Sequence, residues 1–184
     1  MDLYLKYDSD ITIEILLQDL LELLGIKYQT INAYKIKVDK VEQQTLDKLI
    51  LFLEKYHIEI LKDPEEQIIQ QIKYYIKKTI RENSTKNISD VLSEEIKFSY
   101  SYLAEIFKQK TLSTIEKYTV LQRIEKVKKL AIKENLSLTE IAYDMNYSSV
   151  AHLSKQFKQC VGMNFQEYVK IIHSRKKLNN MFLN

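Results

Sequence analysis

One structural unit is written twice in this chain, and that repeat constrains the fold more than any other feature. Leu103, Phe107, Lys108, Gln109 and Tyr118 recur 50 positions later as Leu153, Phe157, Lys158, Gln159 and Tyr168. Upstream of them the offset is 49: Leu92 returns as Ile141, Ile96 as Met145 and Phe98 as Tyr147. The second copy therefore has one extra residue in its turn. Both runs, Ser89 to Tyr118 and Ser137 to Tyr168, read as helix, tight turn, helix, turn, helix. A duplicated helix-turn-helix in one chain is a device for reading two successive stretches of DNA groove.

Start signals place the helices. Asn87 precedes Val91, Leu92 and Ile96, and Ser99 precedes Tyr102, Leu103, Ile106 and Phe107. Ser113 with Glu116, Ser137 with Glu140 and Asn164 with Glu167 have capping-box spacing. The expected helices are 88–96, 100–110, 114–134, 138–145, 149–160 and 165–177. The helix 114–134 would be roughly 30 Å long at 1.5 Å per residue. One turn of duplex DNA is about 34 Å, so such a rod holds two reading helices in adjacent groove segments. Its apolar positions Ile115, Tyr118, Leu121, Ile124, Val127, the Lys128 stem and Leu130 are expected to pack on both copies.

Residues 82–87 contain no large apolar side chain and mark a boundary. Before it, Asp63-Pro64-Glu65-Glu66 starts a helix carrying Ile68, Ile69, Ile72, Tyr75, Ile76 and Ile80. The first 62 residues alternate patterns. Leu3 and Leu5, Tyr28 to Ile31, Tyr34 with Ile36 and Val38, and Ile58 with Ile60 read as strands. Ile13 to Leu24 and Leu46 to Leu53 are helical stripes, the first ending at Gly25. The expected fold class is α+β: a ferredoxin-like βαββαβ domain at 1–63, a connecting helix at 64–83, and an all-α tandem helix-turn-helix domain at 84–184.

Charge divides the chain at the same place. Residues 1–83 carry 12 basic and 15 acidic groups, and residues 84–184 carry 16 and 10. The basic half is the one suited to a polyanion. With 2 Gly and 1 Pro, few open loops are expected. One Cys excludes an internal disulfide framework and fits a reducing, cytoplasmic setting. The longest apolar run is far too short for a membrane span, and the N-terminus lacks signal-peptide character.

The C-terminal half resembles the DNA-binding domain of the AraC/XylS family of transcriptional regulators over about residues 86–178. The resemblance rests on SLTEIAYDMNYSSVAHLSKQFKQCVGMNFQEY and on the run Gln122 to Leu130. Three positions depart from the family pattern. Lys97 and Asn146 stand where its turn glycine lies, and Phe165 where a proline is usual. Asn tolerates a left-handed backbone, and Lys tolerates it less well. The N-terminal half resembles short modules joined to such domains in some bacteria, which implies no effector.

With Leu103, Phe107, Leu153 and Phe157 facing inward, the outward face of the first reading helix carries Tyr100, Ser101, Ala104, Glu105 and Lys108. That of the second carries Ser149, Val150, Ala151, Ser154, Lys155 and Lys158. The resemblance maps base reading onto Ser101, Ala104 and Glu105, and onto Val150, Ala151 and Lys155. Glu105 would accept from a cytosine amino group, Val150 and Ala151 would touch thymine methyls, and Lys155 would reach a guanine edge or a phosphate. Lys126, Lys128, Lys129, Arg175, Lys176 and Lys177 are further phosphate candidates, with Arg123 an alternative partner for an acid inside the domain. His152 is expected half-buried with a local hydrogen bond, and Cys160 as a buried thiol.

The expected partners are double-stranded DNA and, for a transcription regulator, RNA polymerase. The N-terminal half is a candidate for homodimer formation. No cofactor is expected. The competing reading is a protein-interaction or metal-delivery module centred on the ferredoxin-like half. Its loop Asp8-Ser9-Asp10 holds no soft metal donor, which argues against metal transfer. No phosphate loop, nucleophile signature or paired-histidine motif points to an enzyme.

Overall fold

The computed structural model describes residues 9–32, 34–133 and 135–181; the side chains of 10, 30, 31, 133 and 176–181 are not described. Two units emerge, Met1–Tyr74 and Tyr75–Asn184. Nine helices and one two-stranded sheet lie among the described residues, and no described helix is long and apolar enough to cross a membrane.

In the first unit, α1 (Ser9–Leu23) is followed by strands β1 (Tyr28–Asn32) and β2 (Lys35–Val38) and by α2 (Gln43–Lys55). Leu17, Leu20 and Leu21 on α1 bury against Ile26 and against Leu49 and Leu53 of α2. The strands pair antiparallel, Ile31 opposite Ile36, with a register shift between Tyr28 and Thr30. Helix α1 stops where the stripe predicts. Gly25 takes φ 65°, its N–H bonds to the Glu22 carbonyl, and Ile26 N–H bonds to Leu21. This is the Schellman stop that a glycine accommodates most easily.

The expected four-strand ferredoxin-like sheet is not what the described residues form. Leu3 and Leu5 lie outside them, and Ser9 and Asp10 open α1 instead of a loop. Ile58 to Ile60 contains no strand. The reason is local. His57 turns left-handed at φ 55°, and Ile58 N–H donates to the Leu53 carbonyl at 2.8 Å. Ile58 thus packs on the core as the residue that closes α2, while Ile60 is 50% exposed.

Helix α3 (Pro64–Arg81) starts as read, with Asp63 accepting from Glu65 N–H at 2.9 Å. Its last residues belong to the second unit, where Ile76, Thr79 and Ile80 are buried. There follow α4 (Ile88–Ile96), α5 (Tyr100–Thr111), α6 (Ile115–Lys133), α7 (Leu138–Asp144), α8 (Val150–Val161) and α9 (Phe165–Met181). Helix α4 packs on α5, and α7 on α8; α6 touches α5, α7, α8 and α9. Ile115, Ile124, Val127, Leu130 and Ala131 of α6 are buried, whereas Leu121, expected in the same stripe, is exposed.

The turns keep left-handed geometry without glycine. Lys97 has φ 66° and Asn146 φ 54°. At Asn146 a full Schellman pair forms, with N–H bonds to Tyr143 and, from Tyr147, to Ala142. Phe165, in place of proline, fills the core instead, its ring 5.4 Å from that of Phe157. Leu112 occupies the place of Gly162 in the second copy, at φ 55° and 93% exposed.

Two expectations follow for stability. A leucine at positive φ costs roughly 1–2 kcal/mol, and the exposed Leu112 side chain gains little by burial. Leu112→Gly is therefore expected to stabilise the chain by about 0.5–1 kcal/mol after glycine's entropy loss, as read by urea unfolding; a destabilised variant would contradict it. Ile76 and Ile80 each contribute roughly 1.5–3 kcal/mol on burial. A chain beginning at Tyr75 is expected to melt well above one beginning at Ser84, and equal melting temperatures would show that the end of α3 is no part of the second unit.

Candidate nucleic-acid interface

Serine begins each second helix. Ser99 accepts from Tyr102 N–H at 3.4 Å, and Ser149 from His152 N–H at 3.0 Å. These caps satisfy amides that would otherwise be left open at the helix start. Leu103 and Phe107 on α5, and Leu153 and Phe157 on α8, are fully buried. That anchoring rotates the opposite faces outward.

On α8 the outward face carries Val150, Ala151, Lys155 and Lys158, all exposed, with Ser154 half-buried. Ser149 is exposed, and its hydroxyl is the cap. Helix α8 holds two lysines and no acid. On α5, Ser101, Glu105 and Lys108 are exposed, and Tyr100 and Ala104 half-buried. Here two of the polar groups are already occupied. The Glu105 carboxylate accepts from the Gln109 amide at 2.7 Å, and the Tyr100 hydroxyl donates to Glu116. The two faces are alike in position and unlike in charge.

Glu116 is thus diverted from its expected partner. Thr114, not Ser113, caps α6, accepting from Lys117 N–H at 3.2 Å. The other two expected capping boxes form. Ser137 and Glu140 exchange both bonds, as do Asn164 and Glu167. The Tyr100 bond, joined by a backbone N–H, holds the Glu116 carboxyl below its ordinary range. Burial and the same carboxylate push the Tyr100 phenol up.

The turn between α7 and α8 is built around Tyr147. Its hydroxyl donates to Gln156 at 2.8 Å, and the Arg123 guanidinium of α6 lies 5.7 Å from its ring centre. Arg123 therefore meets an aromatic face rather than an acid. His152 is exposed, its Nδ1 3.1 Å from Ser148 Oγ and its ring edge-on to Tyr147. In the first copy Phe98 and Tyr102 form the matching pair, ring centres 5.0 Å apart. Cys160 is exposed rather than buried.

The outlying basic residues separate into different roles. Lys126 donates to the Ile80 carbonyl at 2.8 Å, the Arg81 carbonyl at 3.2 Å and Asn83 Oδ1 at 2.6 Å. Lys128 pairs with Glu125 at 2.7 Å. Arg175 is exposed, and the side chains of Lys176 and Lys177 lie outside the described ones. Sequence reading missed the Lys126 contact because its acceptors lie more than 40 positions away, and two of them are main-chain carbonyls.

Residues 92–171 match a family model described as "Helix-turn-helix domain". Three solved structures are similar. The C-terminal domain of AraT, a response regulator from Geobacillus stearothermophilus, is 23% identical with a TM-score of 0.51, covering 59% of this chain and 86% of that one. The C-terminal domain of the two-component response regulator yesN from Fusobacterium nucleatum is 25% identical with a TM-score of 0.47, covering 54% and 95%. The xylose-binding transcription activator xylR is 21% identical with a TM-score of 0.45, covering 85% and 37%. At these identities the likeness to AraT is one of fold. No curated protein matches the chain significantly.

The Tyr100–Glu116 bond has a definite pH signature. A depressed carboxyl pKa stabilises the fold above the ordinary glutamate value of about 4.3, and the gain is lost as pH falls through the folded-state value. Tyr100→Phe is expected to lower stability at pH 7 by about 0.5–1 kcal/mol, since the pair is largely solvated. The gap between parent and variant should close toward pH 3 in urea unfolding; a gap independent of pH would contradict the assignment.

Proposed function

We propose that residues 92–171, which match a helix-turn-helix family model, form a DNA-binding domain of the AraC/XylS type, the kind that transcription regulators carry, and that this chain is a sequence-specific regulator that reads two adjacent major-groove segments with α5 and α8. The observation that carries this reading is the shared use of α6 by two pairs of the same build. Its 19 residues span roughly 28 Å. That is close to the roughly 34 Å of one DNA turn, so both second helices can meet one face of a duplex.

The unlike charges of the two faces give the pairs different roles. Helix α8 supplies affinity as well as sequence: Lys155 reaches a base edge or phosphate, Lys158 a phosphate, and Val150 and Ala151 thymine methyls. Ser154 and the capping Ser149 border that face. Helix α5 contributes mainly discrimination. Glu105 accepts from a cytosine amino group and repels a misplaced phosphate, next to the small Ser101 and Ala104. Lys108 provides its phosphate contact, and Tyr100 positions α5 through Glu116 more than it touches DNA.

A second part of the proposal concerns the Met1–Tyr74 unit. Ile11 and Ile15, one turn apart on α1, are exposed, as are Leu23 and Leu51. Apolar side chains in water on a unit this small favour self-association, which would present two reading domains to DNA. Sedimentation of the full chain is expected to give a dimer; a monomer at tens of micromolar would remove this part alone.

The DNA reading is tested by selecting a binding site with the full chain and then titrating variants by anisotropy. Lys155→Ala is expected to lose about 1–3 kcal/mol of discrimination at one base position. Lys158→Ala should weaken all sequences alike and reduce the salt slope by about 1. No selectable site, or binding that ignores salt, would overturn the proposal.

A further inference from the structure

We propose that the C-terminal turn of α3 is the regulatory input to the second helix pair, held in place by a latch of Lys126, Asn83 and Asp144. This rests on the DNA-reading role assigned to α8. Lys126 is half-buried on α6, and its ammonium meets three acceptors at the end of α3: the carbonyls of Ile80 and Arg81 and the side-chain oxygen of Asn83. Those carbonyls lie at the negative end of the helix, where a cation bonds most favourably. Asn83 closes α3 in a left-handed turn at φ 52°, with its own N–H on Ile80 and Ser84 N–H on Thr79.

Asn83 also reaches forward. Its amide donates to Asp144 Oδ2 at 3.2 Å, and Asp144 is the last residue of α7. Three residues later Tyr147 takes the Arg123 guanidinium on its ring. Arg123 and Lys126 are neighbours on one face of α6, three apart. One helix therefore grips the α7–α8 turn twice, directly through Arg123 and indirectly through Lys126, Asn83 and Asp144. That turn aims α8. When the last turn of α3 is wound, Asn83 is in register with Asp144. When it unwinds, Lys126 loses its carbonyls and the α7–α8 turn loses one of its two holds. Helix α3 starts at Pro64, upstream of the matched domain, and its last turn carries this latch.

Three variants of the full chain test this: Lys126→Met, which keeps the apolar stem and removes the donors, Lys126→Arg, which keeps a cation, and Asn83→Gly, which keeps the left-handed turn and removes the amide. Hydrogen exchange without DNA and affinity for the selected site are both measured. Lys126→Met is expected to lose protection in α7 and α8 but not in α4 and α5, and to bind DNA about tenfold more weakly. Lys126→Arg should restore both. Asn83→Gly should resemble Lys126→Met, and the double variant should add little. Weaker binding with unchanged exchange would make Lys126 a phosphate contact and overturn the latch. Equal loss of protection in both pairs would make it a general stabiliser and overturn the regulatory role. If the parent chain bound no DNA, the reading role would fall, while the exchange pattern would still accept or reject the latch.

Discussion

Everything in the second unit depends on one helix having its apolar face covered from both ends. A pair of 9 and 12 residues, or of 7 and 12, cannot exclude water from Leu103 and Phe107 or Leu153 and Phe157 by itself. Helix α6 supplies the missing surface. Ile115 is buried near its start, and Ile124, Val127, Leu130 and Ala131 further along. The two pairs become one folding unit because neither is stable without that shared strip. The same packing makes the distance between α5 and α8 a property of a rigid rod rather than of a flexible tether.

Within that frame the copies have diverged in chemistry and not in architecture. Buried Leu92, Ile96, Leu103, Phe107 and Ile115 return as buried Ile141, Met145, Leu153, Phe157 and Phe165, whereas several exposed positions change. Glu105 stands opposite Lys155 and Leu112 opposite Gly162; Tyr100, bound to Glu116, stands opposite the exposed Val150. Core positions are held by packing, which penalises changes of even a methylene. Outward positions carry no such penalty, so each copy is free to change its exposed chemistry. Leu112 shows the cost of that freedom, a bulky side chain in a backbone conformation that suits glycine.

The second unit was legible in the sequence because its signals are local. Spacing at 3.6 residues and start signals, with serine caps on the last three, fix Ile88–Ile96, Tyr100–Thr111, Leu138–Asp144 and Val150–Val161 almost to the residue. The outward positions follow from that periodicity. Contacts between distant segments were not legible. Lys126 reads as one more surface lysine, and nothing near it in sequence points to Asn83. Glu116 looks like the third residue of a capping box, yet Tyr100 competes for it across a turn. In the first unit, Ile58 and Ile60 alternate like a strand, but the left-handed His57 turns Ile58 back onto α2 and leaves no partner for a ladder. Alternation over three residues cannot distinguish a strand from an apolar residue closing a helix.

The central claim is geometric: two reading helices, one rod, one face of the duplex. Hydroxyl-radical footprinting of the full chain on its selected DNA tests it most directly. The account predicts two protected stretches on the same face, centred about one helical turn apart, roughly 10–10.5 base pairs, with the spacing unchanged across all selected sites. A single protected stretch, or two whose spacing varies from site to site, would contradict it.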